Sequence, residues 1–149
     1  MDTIPRKLHD VLAAGHNIWV ATVAPDGTPN VSIKGSGSLI DDRHIYFADL
    51  YHKETLENLR HDPRVAIGVH DFAGKVAMQI KGHAEILDHG DLVDEMRQKL
   101  AAVGEKWQLP PVTTVIRVTV DSVVDLWPGP HAGEEEVLAG AAGDWKTYD

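Results

Sequence analysis

Tyr51-His52-Lys53-Glu54-Thr55-Leu56-Glu57-Asn58-Leu59-Arg60-His61-Asp62-Pro63-Arg64 is the stretch on which the fold turns. The apolar run Ile45, Tyr46 and Phe47 leads into it. Leu56 and Leu59 share one helical face, and Asp62-Pro63 ends the helix, because a residue before proline is pushed out of the helical region. Lys53 and Thr55 then fall at or just before the first turn. Backbone N–H groups are unpaired there, and the helix dipole favours an anion. A lysine and a hydroxyl at that end describe a phosphate seat. On their own they are explained more simply by a surface helix with a solvated lysine and a threonine cap.

Upstream, Thr3 caps a first helix with Pro5 in its opening turn, Leu8, Val11 and Leu12 make its apolar face, and Gly15 ends it. Asn17 to Val23 is a strand. Pro25-Asp26-Gly27 is a hairpin turn, and Pro29 to Ile33 returns with Val31 and Ile33 on one face and Asn30, Ser32 and Lys34 on the other. Gly35-Ser36-Gly37-Ser38 loosens the backbone, and Leu39-Ile40 continues the strand to a turn at Asp41-Asp42. His44 to Ala48 is a third strand.

Downstream, Val65 to Val69 is a buried strand. Val76 to Ile86 alternates, with Gly82 placed for a bulge or a close approach. Asp91 to Val103 is an amphipathic helix ended by Gly104, and Glu105 to Pro111 is a loop that exposes Trp107. Val112 to Val124 is the last long strand. Trp127-Pro128-Gly129-Pro130 closes a domain of residues 1–130. Residues 131–149, with three consecutive glutamates and Trp145, form an acidic arm or tail. Six or so strands, mostly hairpin-linked, with three short helices predict a mainly β protein, an antiparallel sheet closed or nearly closed on itself.

A chain of 149 residues, 43% apolar and 25% charged, suits one globular domain. Its net charge of −9 argues against a nucleic-acid or anionic-membrane surface. With no cysteine there is no disulfide, thiolate metal site or cysteine nucleophile. The N-terminus lacks a signal-peptide core and no apolar run is long enough to span a bilayer, so a cytoplasmic protein is expected. Nine histidines show no tight metal-ligand spacing, so no metal site is expected. There is no Gly-x-Ser-x-Gly elbow and no Gly-x-Gly-x-x-Gly fingerprint.

Four stretches in this order resemble the pyridoxamine 5′-phosphate oxidase-like family of FMN-binding split barrels, in the style of its small FMN-binding members. They are Ala21 to Ser32, His52 to Val65, Ile80-Lys81-Gly82-His83-Ala84, and Lys106-Trp107 ahead of the valine-rich strand. The resemblance implies a Greek-key-like split barrel and a homodimer with FMN in a groove between subunits. It implies that Lys53 and Thr55 hold the FMN phosphate. Asn30, Val31, Ser32 and Ile33 line the ring, the Asp49-Leu50 loop approaches it, and Trp107 lies near it from the other subunit. Where the family often has a second basic residue beside the lysine, this chain has Glu54. The Arg/His substrate clamp of the vitamin-processing enzymes is missing.

The residues agree with these expectations. Lys53 and Thr55 offer a dianion seat, Val31, Ile33 and Trp107 a flat apolar slot, and the backbone around residues 30–34 hydrogen bonds to a ring edge. A cation near the ring stabilises the charge that reduction creates; Lys34 is the first choice and Lys81 the second. The expected function is an FMN-dependent oxidoreductase relaying hydride or electrons. An electron carrier without its own organic substrate, a deazaflavin F420 binder and a haem binder or ligand sensor are the alternatives.

Overall fold

A computed structural model of the chain describes residues 3–35, 37–39, 41–51 and 53–140. The order is α1 (Arg6–Ala13), β1 (Ile18–Val23), β2 (Pro29–Lys34), β3 (Ser38–Leu39), β4 (His44–Asp49), α2 (Glu54–His61), β5 (Arg64–Asp71), β6 (Val76–Leu87), α3 (Asp91–Trp107), β7 (Thr114–Asp125) and β8 (Glu135–Val137). All strand pairs are antiparallel. The strands run β2-β1-β5-β6-β7-β4-β3 across one sheet, with β8 added to β7. The sheet curls into a half-barrel, as the resemblance implied.

Alternation in the strands puts one set of side chains inside the curl. Ile18 and Val20 of β1, Ile45 and Phe47 of β4, Val65 and Ile67 of β5, and Ile80 of β6 are all buried there. Leu8, Val11 and Leu12 of α1 and Leu56 and Leu59 of α2 join them. Removing the fully buried Phe47 side chain would cost about 3–5 kcal/mol. The other face of β4 and β7 meets α3 in a second cluster of Ala48, Val93, Met96, Val112 and Val115. Only the start of β7 is apolar on both faces, with Val115 toward α3 and Ile116 toward the main core; from Ile116 to Asp121 apolar and polar residues alternate.

The two ends of the sheet are β2 and β3, which are consecutive in the chain. Leu39 therefore does not extend β2. The chain leaves β2 at Gly35, and Ser38 and Leu39 pair instead with Tyr46 and Ile45 of β4. Gly37 makes the crossing possible, since a Cβ there would lie 2.9 Å from the Ile18 side chain. Ile40 and Ser36 lie outside the described residues. A second close approach is at Gly82, where the β6–β7 register shifts after Lys81. A Cβ on Gly82 would sit 2.3 Å from the Thr119 carbonyl oxygen.

Helix α3 runs one turn past the expected stop. Gly104 is tolerated inside it at a cost of about 1 kcal/mol. Glu105, Lys106 and Trp107 continue the helix, and Gln108 takes the left-handed position at φ 55°. Pro110 and Pro111 prevent further turns. Thr3 does not cap α1; Pro5 occupies that position and no side chain caps the helix. In the acidic segment, β8 pairs with Ser122, Val123 and Val124 of β7, Leu138 is buried in the main core, and Arg43 donates to the Ala139 carbonyl. Residues 141–149, including Trp145, lie outside the described residues. Among the described residues no helix is long and apolar enough to cross a membrane.

Candidate functional site

The edge strand β2 is inverted relative to a normal core strand. Its partners in β1 fix the parity: Asn30 lies opposite Thr22, Ser32 opposite Val20 and Lys34 opposite Ile18. Those β1 residues face the core. So the polar side chains of β2 turn inward, and the apolar Val31 and Ile33 turn outward, 61% and 54% exposed. An inward polar stripe needs partners or a ligand, because burying unpaired polar groups is costly.

Helix α2 supplies partners. It packs on β1, β2 and β6, and Thr55 in its first turn is buried, not a cap. The Thr55 and Ser32 hydroxyls are 2.9 Å apart, and the Asn30 amide donates to Thr55 Oγ1 at 3.4 Å. Behind them, Asn58 donates to Thr22 Oγ1 at 3.0 Å, and Asn30 reaches the same oxygen at 3.4 Å. Thr22 and Asn58 were absent from the sequence-based candidates. Each is a polar residue on a buried parity, Thr22 among the inward residues of β1 and Asn58 one turn after Thr55, and that was the available signal.

Lys53 stands exposed at the N-cap position of α2, and its own side chain makes no cap hydrogen bond. The first-turn amides have no intrahelical acceptors, so lysine charge, helix dipole and free N–H groups coincide. At the other end, Asp62 accepts from the Arg64 backbone N–H and from both Nε and Nη2 of its guanidinium, at 2.6–3.1 Å. The side-chain hydrogen bonds from Arg64 hold the Asp62 carboxyl below the ordinary carboxylate range, against partial burial. This clasp fixes the turn from α2 into β5.

Lys34, at the end of the inward stripe, holds its ammonium 5.9 Å from the Phe47 ring centroid. Asp49 is buried at the end of β4, paired in register with Thr114, and half-buried Leu50 follows it toward Lys53. Lys81 lies on β6 opposite Ala66 and Ser122, away from the stripe. Trp107, 66% exposed at the end of α3, touches none of the stripe residues among the contacts described. Its ring lies 5.6 Å from the Lys106 ammonium. The structure therefore brings together Asn30, Ser32 and Thr55, sets Lys34 on the same inner face, and leaves Val31, Ile33 and Trp107 on open surface.

These residues fit a phosphorylated planar cofactor. There is a helix start with Lys53 at its N-cap, next to the first-turn acids Glu54 and Glu57, a polar stripe beside it, and an edge strand whose outer row of main-chain donors and acceptors has no strand partner among the described residues.

The sequence matches the family model described as Pyridoxamine 5′-phosphate oxidase over residues 4–126. No curated protein matches the chain. Among solved structures, HupZ of Group A Streptococcus is 22% identical with a TM-score of 0.73, covering 87% of this chain and 99% of its own. An FMN-binding protein from Syntrophomonas wolfei subsp. wolfei is 17% identical with a TM-score of 0.64, covering 79% of this chain and 82% of its own. An F420 reductase is 21% identical with a TM-score of 0.59, covering 80% and 98%. At these identities the likeness is one of fold.

Proposed function

Since residues 4–126 carry the match, the chain belongs to the pyridoxamine 5′-phosphate oxidase family, and on that premise we propose that it is a homodimeric FMN flavoprotein acting as an oxidoreductase. The observation that carries the reading is the inversion of β2, with polar Asn30, Ser32 and Lys34 inward and apolar Val31 and Ile33 outward.

Bound FMN would supply reversible hydride or electron transfer. The chain's own residues bind and orient. Lys53 and the first-turn amides of α2 hold the phosphate, with the Ser32 and Thr55 hydroxyls beside it. Asn30 keeps the stripe in register through Thr22 and Thr55. Main-chain groups of β2 meet the ring edge, and Asp49 and Leu50 bound the groove. Lys34 is the cation on the inner face able to favour the reduced, more anionic ring. Lys81 lies away from it, which leaves Lys34 as the choice for that role.

The outward face supports the reading of a partner subunit. Trp19 is 48% exposed and lies opposite Ile33 and Gly68; Ala21 lies opposite Val31 and Ala66. Large apolar groups thus rim a shallow floor of small ones, which suits a flat, self-complementary contact. In such a dimer Val31, Ile33 and the partner's Trp107 complete the apolar walls that one chain leaves open.

The test is an absorption spectrum of the purified protein and identification of what heat releases. Flavin bands with FMN in the supernatant support the proposal. A colourless protein that fails to bind added FMN removes the cofactor. Release of F420, or a haem spectrum, keeps the fold and changes the chemistry. Oxidation of a reduced nicotinamide with added acceptors separates an enzyme from a passive carrier.

A further inference from the structure

A cavity of about 380 Å³ opens at the β2–β3 crossing. Its walls come from four parts of the chain: Leu12, Ala13 and Gly15 at the end of α1, Gly35, Gly37, Ser38 and Leu39 at the crossing, Tyr46 of β4, and Lys99 and Leu100 of α3. The size is that of a small-molecule site. Gly15, Gly35 and Gly37 in its lining carry no side chain. Gly37 cannot carry a side chain against Ile18, Gly15 has φ 79°, and a Cβ on Gly35 would be 3.4 Å from Asn17 Oδ1.

The cavity's charge runs against that of the chain. The protein carries 23 acidic and 14 basic residues, yet among the described residues no carboxylate lines this space. Lys99 does, and it forms no ion pair among the described residues. Its ammonium is held in place without a counter-ion: it donates to the Ser38 hydroxyl and lies 5.9 Å from the Tyr46 ring centroid. His9 at the rim is 3.5 Å from Asp42, which does not line the cavity. Leu12, Leu39 and Leu100 supply apolar walls.

We infer that this cavity binds a small organic anion, a carboxylate or phosphate ester on a compact apolar body. Lys99 pairs with the head group, Ser38 donates to it, and the body stacks on Tyr46 between the leucines. A positioned ammonium facing an apolar space without a carboxylate favours an anion over a neutral or cationic ligand of the same shape. The inference does not rest on the flavin reading: none of the proposed cofactor residues lines the cavity.

The test is methyl NMR of the full chain, reading the Leu12, Leu39 and Leu100 methyls during titration with benzoate, phenyl phosphate and benzylamine. Benzoate or phenyl phosphate should shift these methyls with dissociation constants in roughly the millimolar range, and benzylamine should not. Whichever anion binds tighter identifies the head group. Lys99→Met should weaken binding about tenfold or more, the scale of one charge-assisted contact. Ala13→Trp, at an exposed position on the rim, should block it while Lys99 remains. Equal binding of benzylamine, unchanged affinity in Lys99→Met, or no shift with either anion would overturn the assignment. The result is independent of whether the protein is yellow.

Discussion

The Ser32 hydroxyl on β2 lies 2.9 Å from the Thr55 hydroxyl in the first turn of α2. This contact ties the free edge of the sheet to the helix whose start faces the groove. Thr55→Val keeps the shape and removes the hydroxyl, leaving Ser32 and Asn30 short of a partner. Stability should fall by about 1–2 kcal/mol in urea unfolding, and FMN affinity should fall with it. An unchanged urea midpoint would show that the contact carries no net energy.

Lys53 is exposed, so Lys53→Ala should leave unfolding unchanged. FMN binding, followed by fluorescence quenching, should weaken by about 1.5–3 kcal/mol, the scale of a charge-assisted hydrogen bond. Wild-type affinity in this variant takes Lys53 out of the phosphate seat.

Trp19 stands on the outward apolar face beside Ile33 and Gly68. Trp19→Glu puts a charge into the proposed subunit contact, where desolvation makes it costly. Light scattering should report a monomer with reduced FMN affinity. A dimer of wild-type strength would move the interface elsewhere.

Gly82 has no room for a side chain, since its Cβ would meet the Thr119 carbonyl oxygen and the Val118 side chain. Backbone cannot yield as a flexible side chain can. Gly82→Ala should therefore destabilise by about 2 kcal/mol or more, read as a lower urea midpoint. Wild-type stability would mean that β6 and β7 part easily at the bulge.

Asp62 has a lowered carboxyl pKa because Arg64 bonds its ionised form. A carboxylate depressed in the folded state stabilises fully above its unfolded pKa, and that contribution disappears as pH falls through the folded value. Asp62→Asn should thus melt lower than wild type at neutral pH, with the gap closing as pH falls below the ordinary carboxylate range. A gap that stays constant with pH would assign the effect to turn geometry alone.

Much of this arrangement is written locally. Leu56, Leu59 and the Asp62-Pro63 stop bound α2 because helical spacing and proline sterics act within a few residues. The parity of β2 was legible, but which face turns inward was not: that depends on β1, where Val20 and Ile18 define the inside. Gly104 misled because a glycine ends a helix only when the next residues cannot continue it, and Glu105 to Trp107 can. The departure of β3 to the far edge rests on its pairing with β4, and β8 pairs through backbone while its side chains stay exposed. Neither leaves a periodic signature. Asn58 and Thr22 find each other across 36 positions, a relation that no local pattern encodes.

One side of β7 is divided between two strands: β4 takes Thr114 to Thr119, and β8 takes Ser122 to Val124. The β3–β4 hairpin thus has no template to join until a strand made some 70 residues later has left the ribosome. While the chain is being synthesised, Ile45 and Phe47 lie on a strand whose second edge has no partner, an exposed apolar edge. Once β7 is available, β4 and the last described strand can dock on it without competing, because each uses a separate half of the same edge.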